Sequence, residues 1–179
     1  MSVNAPLAPA EQLRREFDAA FAARPSDVAD GLEAFVALRI GGDPYLARMV
    51  EIVGFAAARK IARLPGSPPA LLGLAGVRGA VVPVYGLDVL LGYPPAHDVP
   101  RWFVLCGGAD VAALAITDFE GHVRLPRARL PASAQHPSGR RHVGELVRVG
   151  DETRAVIDVA SVVTAIEDMV ASSRTTKER

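Results

Sequence analysis

Three sets of residues in this chain have types and spacings that could carry chemistry: the acids Asp118 and Glu120, four histidines, and the glycines around Arg78. Two carboxylates two positions apart share one face of a strand, and such a pair can divide general acid and base work. Asp118 and Glu120 sit beside Gly121, however, where acids serve turns and solvated faces, and no surrounding pattern suggests a substrate pocket or a metal. His97, His122, His136 and His142 lack the i, i+4 helical spacing of a zinc protease. Gly73, Gly76 and Gly79 repeat as G-x-x-G-x-x-G, without the lysine of a phosphate loop and without a G-x-G-x-x-G dinucleotide fingerprint. No serine lies in the G-x-S-x-G context of a nucleophile elbow. The chain therefore gives no reason to expect a catalytic residue, a cofactor or a metal.

The glycines have a second use. Gly76 and Gly79 permit backbone angles that other residues resist, and residues 80–84, Ala-Val-Val-Pro-Val, suit a pleated, half-buried strand. A tight turn is expected here, with Arg78 displayed on it.

Composition narrows the classes further. At 179 residues the chain is long enough for one domain or two small ones with a real core. Its 20 basic and 20 acidic residues cancel, and 6% of residues are aromatic, so the basic, ring-studded surface of a nucleic-acid binder is missing. The single cysteine, Cys106, excludes an intramolecular disulfide and a cysteine zinc cluster. Its setting, Trp-Phe-Val-Leu-Cys, reads as a buried strand, where apolar surroundings raise the thiol pKa and leave it inert. No apolar run reaches the ~18 residues of a membrane span, and the N-terminus lacks the order of a signal peptide. The cytoplasm is the expected compartment, without membrane insertion.

The elements that must position these residues follow from periodicity. Residues 1–8 read as a tail, and residues 11–23 carry Leu13, Phe17, Ala20 and Phe21 at helical spacing, ended by Pro25-Ser26-Asp27. From Leu32 onward the pattern is one of short apolar segments: Leu32–Ile40, residues 45–55, the strand after Arg78, Trp102–Cys106, residues 111–116, Val143–Val149 and residues 154–157. Gly41-Gly42-Asp43, residues 107–110 and Gly150-Asp151-Glu152 supply turns between them. This is the layout of an all-β barrel or sandwich. The proline-rich residues 94–100 form a connector that could separate two barrels. Asp158 can cap a helix with Val159, Val162, Val163, Ile166 and Val170 on one face. The predicted division is a tail, helix and linker over 1–30, one β-rich domain over 31–171, and a fraying polar tail over 172–179.

Pro69, Gly73, Leu74, Arg78, Gly79 and Val82-Pro83-Val84 follow one another as in the CheW-like domain of bacterial chemotaxis coupling proteins, and the chain resembles that family over roughly residues 31–170. The resemblance implies a mainly β fold of two tandem small SH3-like barrels, to which the N-terminal amphipathic helix is an addition and which a C-terminal helix completes. It implies a non-catalytic adaptor that couples the cytoplasmic tip of methyl-accepting chemoreceptors to the regulatory domain of a CheA-type histidine kinase, recruited to membrane-associated receptor arrays. By motif it nominates Met49, Glu51, Ile52, Gly73 and Arg78 as partner contacts or as residues that shape that surface. It further implies that Glu51-Ile52 ends the second strand and that the Glu51 carboxylate pairs with Arg78. Two departures stand out: Tyr85-Gly86-Leu87-Asp88 where the family often has Asp-Leu, and the linker 131–142.

Two other classes compete with this reading. A barrel that binds an oligonucleotide or a small ligand predicts a basic, aromatic-studded face. An enzyme on a β scaffold predicts turnover sensitive to Asp118→Asn or Glu120→Gln.

Overall fold

Alternating side chains in a strand point to opposite faces, so a strand buried on both sides reads as a continuous apolar run. Trp-Phe-Val-Leu-Cys and Ala-Ala-Leu-Ala-Ile are such runs, and the fold explains why both of their faces are dry. The computed structural model describes residues 31–95, 98–107, 110–126 and 140–177, with the side chains of 173–177 excepted. The helix expected at residues 11–23 lies outside them, as do His97 and His136.

Among the described residues the chain forms β1 (Leu32–Ile40), β2 (Asp43–Arg48), a single 3₁₀ turn (Met49–Glu51), β3 (Gly54–Ala57), β4 (Leu71–Val77) and β5 (Ala80–Gly86). It continues through α1 (Leu87–Leu90), β6 (Trp102–Cys106), β7 (Ala112–Ile116), β8 (Asp118–Pro126), β9 (Val143–Val149), β10 (Glu152–Ile157) and α2 (Val159–Lys177). Two five-stranded sheets result, in the orders β8-β1-β2-β10-β9 and β3-β6-β7-β5-β4. Each is antiparallel except for one parallel pair, β2 with β10 in the first and β5 with β7 in the second. The first sheet gathers strands from both ends of this stretch of chain, and the second is inserted between β2 and β8. The chain thus crosses between sheets at Met49–Glu51 and again at Thr117. Of the two placements left open for residues 94–100, between barrels or within one, the structure has the second: they join α1 to β6, and β5 and β6 share the second sheet.

Each sheet curls around its own small core. Phe35, Ala37, Leu46, Val147 and Val156 fill the first, and Val77, Val82, Val84, Phe103, Leu105, Ala113 and Ala115 the second. The intervening residues of the same strands point the other way into a larger shared core: Val36, Leu38 and Tyr45 from the first sheet, Val104, Cys106 and Leu114 from the second. Val159, Val162 and Ile166 of α2 join this shared layer, which welds the two barrels into one body. Cys106 is fully buried there, and burial pushes its thiol up to about 12.

Local sequence chemistry sets the turns. Ile40 pairs with Asp43 across Gly41 and Gly42, both at positive φ, the two-residue loop whose twist matches paired strands. Asp158 caps α2 by accepting the Ser161 N–H at 2.9 Å. That helix continues to Lys177, past Ser172 where a fraying tail was expected; the Ser172 hydroxyl donates back to the Asp168 carbonyl at 2.8 Å. The segment 45–55 is not one strand but β2, the 3₁₀ turn and β3. β4 and β8 escape the sequence reading because glycines interrupt the first and polar residues alternate along the second.

Candidate functional site

Val77 pairs with Ala80, so Arg78 and Gly79 alone form the β4–β5 loop. Both have positive φ, 52° and 84°, the signature of a type I′ hairpin. Glycine adopts that angle freely, whereas arginine does so at a cost of roughly 1–2 kcal/mol. A residue placed there despite the cost is held out from the hairpin tip, and Arg78 is indeed exposed.

Its side chain nevertheless has a fixed direction. Nη2 donates to the Phe55 carbonyl oxygen at 3.3 Å, and the guanidinium lies against Gly54, where an added Cβ would stand 3.3 Å from both terminal nitrogens. β3 and β4 are the two outer strands of the second sheet, so this contact ties one edge to the hairpin that carries the other. A second tie lies nearby: Ala62 and Leu74 exchange backbone hydrogen bonds of 2.8 and 2.9 Å. Gly73, beside it, is buried at φ 142° in a bulge of β4, and a Cβ there would overlap the Ala62 carbonyl oxygen. Gly73 is therefore a backbone requirement of the bulge, where no side chain would fit.

The 3₁₀ turn between the barrels sorts the remaining candidates by its period of three. Met49 and Ile52 turn inward, Met49 half-buried against the shared core and Ile52 only 6% exposed within it. Val50 and Val53 turn outward, 86% and 51% exposed. A strand reading with period two does not anticipate this pair of exposed valines; their spacing of three was the available signal. Val81, three residues beyond Arg78 on β5, is 73% exposed. Since Arg78 lies on Gly54, the guanidinium sits beside the residue that follows the outward Val53.

Glu51 does not pair with Arg78. The turn directs its carboxylate to the start of α2, where it accepts the Val159 N–H, favourable for an anion at a helix N-terminus. Oε2 is buried and has no hydrogen-bond partner. Burial raises the Glu51 pKa above the usual carboxylate value, against the opposing pull of Arg48. Arg48 is itself claimed by Glu33 and Glu145, each at 2.9 Å. Of the five residues nominated from sequence, Arg78 is the exposed one; Met49 and Glu51 are half-buried, and Ile52 and Gly73 are buried.

Glu120 is also accounted for. Arg39 and Arg154 each reach it at 2.5 Å, and the same two arginines hold Glu152 at 2.9 and 2.5 Å, a closed ring of four charges across the first sheet. Partial burial pushes the Glu120 carboxyl up, but hydrogen bonds from Arg154 and Arg39 prevail and hold it below its ordinary value. That is an ion network across strands, with Asp118 outside it. His142 donates to or accepts from Ser161 Oγ at 2.7 Å, and burial lowers its pKa. Across the barrel interface, Tyr93 donates to the Asp43 carboxylate and its hydroxyl meets that of Tyr45 at 2.7 Å, while the Arg140 guanidinium stacks on the Tyr93 ring at 3.3 Å. No cluster of histidine, cysteine and acids able to hold a metal occurs among the described residues, and no helix among them is long and apolar enough to cross a membrane.

No curated protein matches the chain in sequence. Among solved structures, the scaffolding protein TtCheW from Thermoanaerobacter tengcongensis is similar in fold at 13% identity, with a TM-score of 0.62 over 70% of this chain and 88% of that one. The model of the CheW-like domain matches residues 34–167, from the third residue of β1 into the buried half of α2. That span takes in both barrels, the crossing turn and the Arg78 hairpin, and the chain belongs to the CheW-like domain family.

Proposed function

We propose that the chain is a non-catalytic adaptor that couples the cytoplasmic tip of chemoreceptors to the regulatory domain of a CheA-type histidine kinase, in the cytoplasm and at membrane-associated receptor arrays. The observation that carries the reading is membership of the CheW-like domain family across both barrels. The site supports it on chemical grounds. Arginine offers five N–H donors in a planar fork, and the one contact to Phe55 leaves others to meet a partner. Exposed apolar residues beside a displayed arginine are the composition of a docking surface, with Val50, Val53 and Val81 as anchors. The engagement of Glu120 by two arginines removes the residue on which a paired-carboxylate enzyme would depend.

Co-sedimentation of the protein with kinase and receptor cytoplasmic fragments tests the proposal. A ternary complex that raises kinase activity, and that weakens with Arg78→Ala and with Val50→Asp/Val53→Asp, is the expected result. A well-folded protein that binds neither partner overturns it.

A further inference from the structure

A second surface shares none of the residues of the Arg78 region. An open cleft of about 730 Å³ lies between the β1–β2 turn of the first barrel and, on the second, residues 58–63, α1 and residues 98–100. Ile61, Leu72 and Val89 give it apolar surface, together with Val99, which is 82% exposed. Arg59, Lys60 and Arg63 crowd the segment that follows β3. All three are exposed and none forms an ion pair with a described residue. The other charges lining the cleft are Arg39, already engaged with Glu120 and Glu152, and the acids Asp88 and Asp98. In a chain of zero formal charge, three unpaired cations within five residues beside exposed apolar surface form a local excess of one sign.

We infer that this cleft docks an acidic segment of a partner protein, with apolar side chains against Ile61, Val89 and Val99 and carboxylates against Arg59, Lys60 and Arg63. Charge complementarity of this kind directs encounter and register. Other occupants fit less well. A flat anionic membrane cannot reach the floor of a concave cleft. Among the described residues no aromatic side chain lines it, so they offer no stacking platform of the kind a single-strand nucleic-acid site uses. Its open side leaves a small molecule largely solvated, whereas small-molecule sites bury most of their ligand.

The test is fluorescence anisotropy of the full chain with a labelled peptide of alternating glutamate and leucine, in the absence of kinase and receptor. Binding is expected to weaken with added salt, to fall about tenfold or more in Arg59→Glu/Lys60→Glu/Arg63→Glu, and to persist in Arg148→Glu, an exposed cation on β9. If the triple variant melts early, Lys60→Gln and the salt series carry the same comparison. A peptide that fails to bind, binds the triple variant equally well, or is matched by a lysine–leucine peptide overturns the inference. So does cation-dependent binding found only with anionic vesicles or oligothymidylate. Failure here leaves the adaptor reading untouched, because co-sedimentation with kinase and receptor reads that separately.

Discussion

The Arg78 guanidinium donates to the Phe55 carbonyl at 3.3 Å, from the tip of the β4–β5 hairpin to the outer strand at the far side of the same sheet. One side chain thereby both closes a barrel and stands at its surface. A single exposed hydrogen bond of this kind contributes about 1 kcal/mol, small beside the apolar burial of the second core. Arg78→Ala is expected to lower stability by about that amount in urea titration and to reduce coupling far more. A melt that collapses while binding per folded molecule stays normal would make Arg78 purely structural.

Gly73 has the opposite profile. Its φ of 142° and the Ala62 carbonyl in the space of a Cβ make Gly73→Ala a backbone problem, with an expected loss of roughly 2–4 kcal/mol. Urea titration measures it; a variant as stable as the parent would show that the β4 bulge can shift at no cost.

Glu51 predicts a pH dependence. Its folded pKa lies above the ordinary value of 4.5 because burial disfavours the anion. Below 4.5 both states hold the proton and the native state bears no penalty. As pH rises from there through the raised folded pKa, the unfolded state ionises first and stability is lost. Glu51→Gln still offers an oxygen to the Val159 N–H and carries no charge. It should match the parent in acid and exceed it at neutral pH, as urea midpoints across the range will show. Equal midpoints at neutral pH would mean the carboxylate is not penalised.

Glu120 predicts the reverse. Partial burial, the largest single influence, raises its pKa, but the hydrogen bonds and charges of Arg154 and Arg39 together outweigh it and hold the pKa below 4.5, so its contribution is present above that value and lost as pH falls through the folded pKa. Glu120→Gln should flatten the acid limb of the stability profile. An unchanged acid limb would count against the four-charge ring in solution.

Much of this architecture is legible in the residues. The runs Leu32–Ile40, Trp102–Cys106 and Val143–Val149 are strands with the bounds their patterning indicates, because apolar alternation and flanking turn residues act locally. The Gly-Gly turn before Asp43, the Arg-Gly turn and the Asp158 cap are equally local. β4 and β8 are not, since a strand interrupted by glycine or lined with exposed polar residues is held by its neighbours more than by its own propensity.

The chain by itself determined the strand-rich class, the displayed arginine and the family motif, all written in short-range spacing. Only the tertiary structure decided which strands share a sheet, since the middle of the chain folds as an insert between strands that pair across it. It also decided the fate of Glu51 and Gly73. A 3₁₀ turn of three residues directs Glu51 away from Arg78 toward α2, and Gly73 is required by a carbonyl eleven residues earlier. Both depend on where distant backbone passes, which no local pattern encodes.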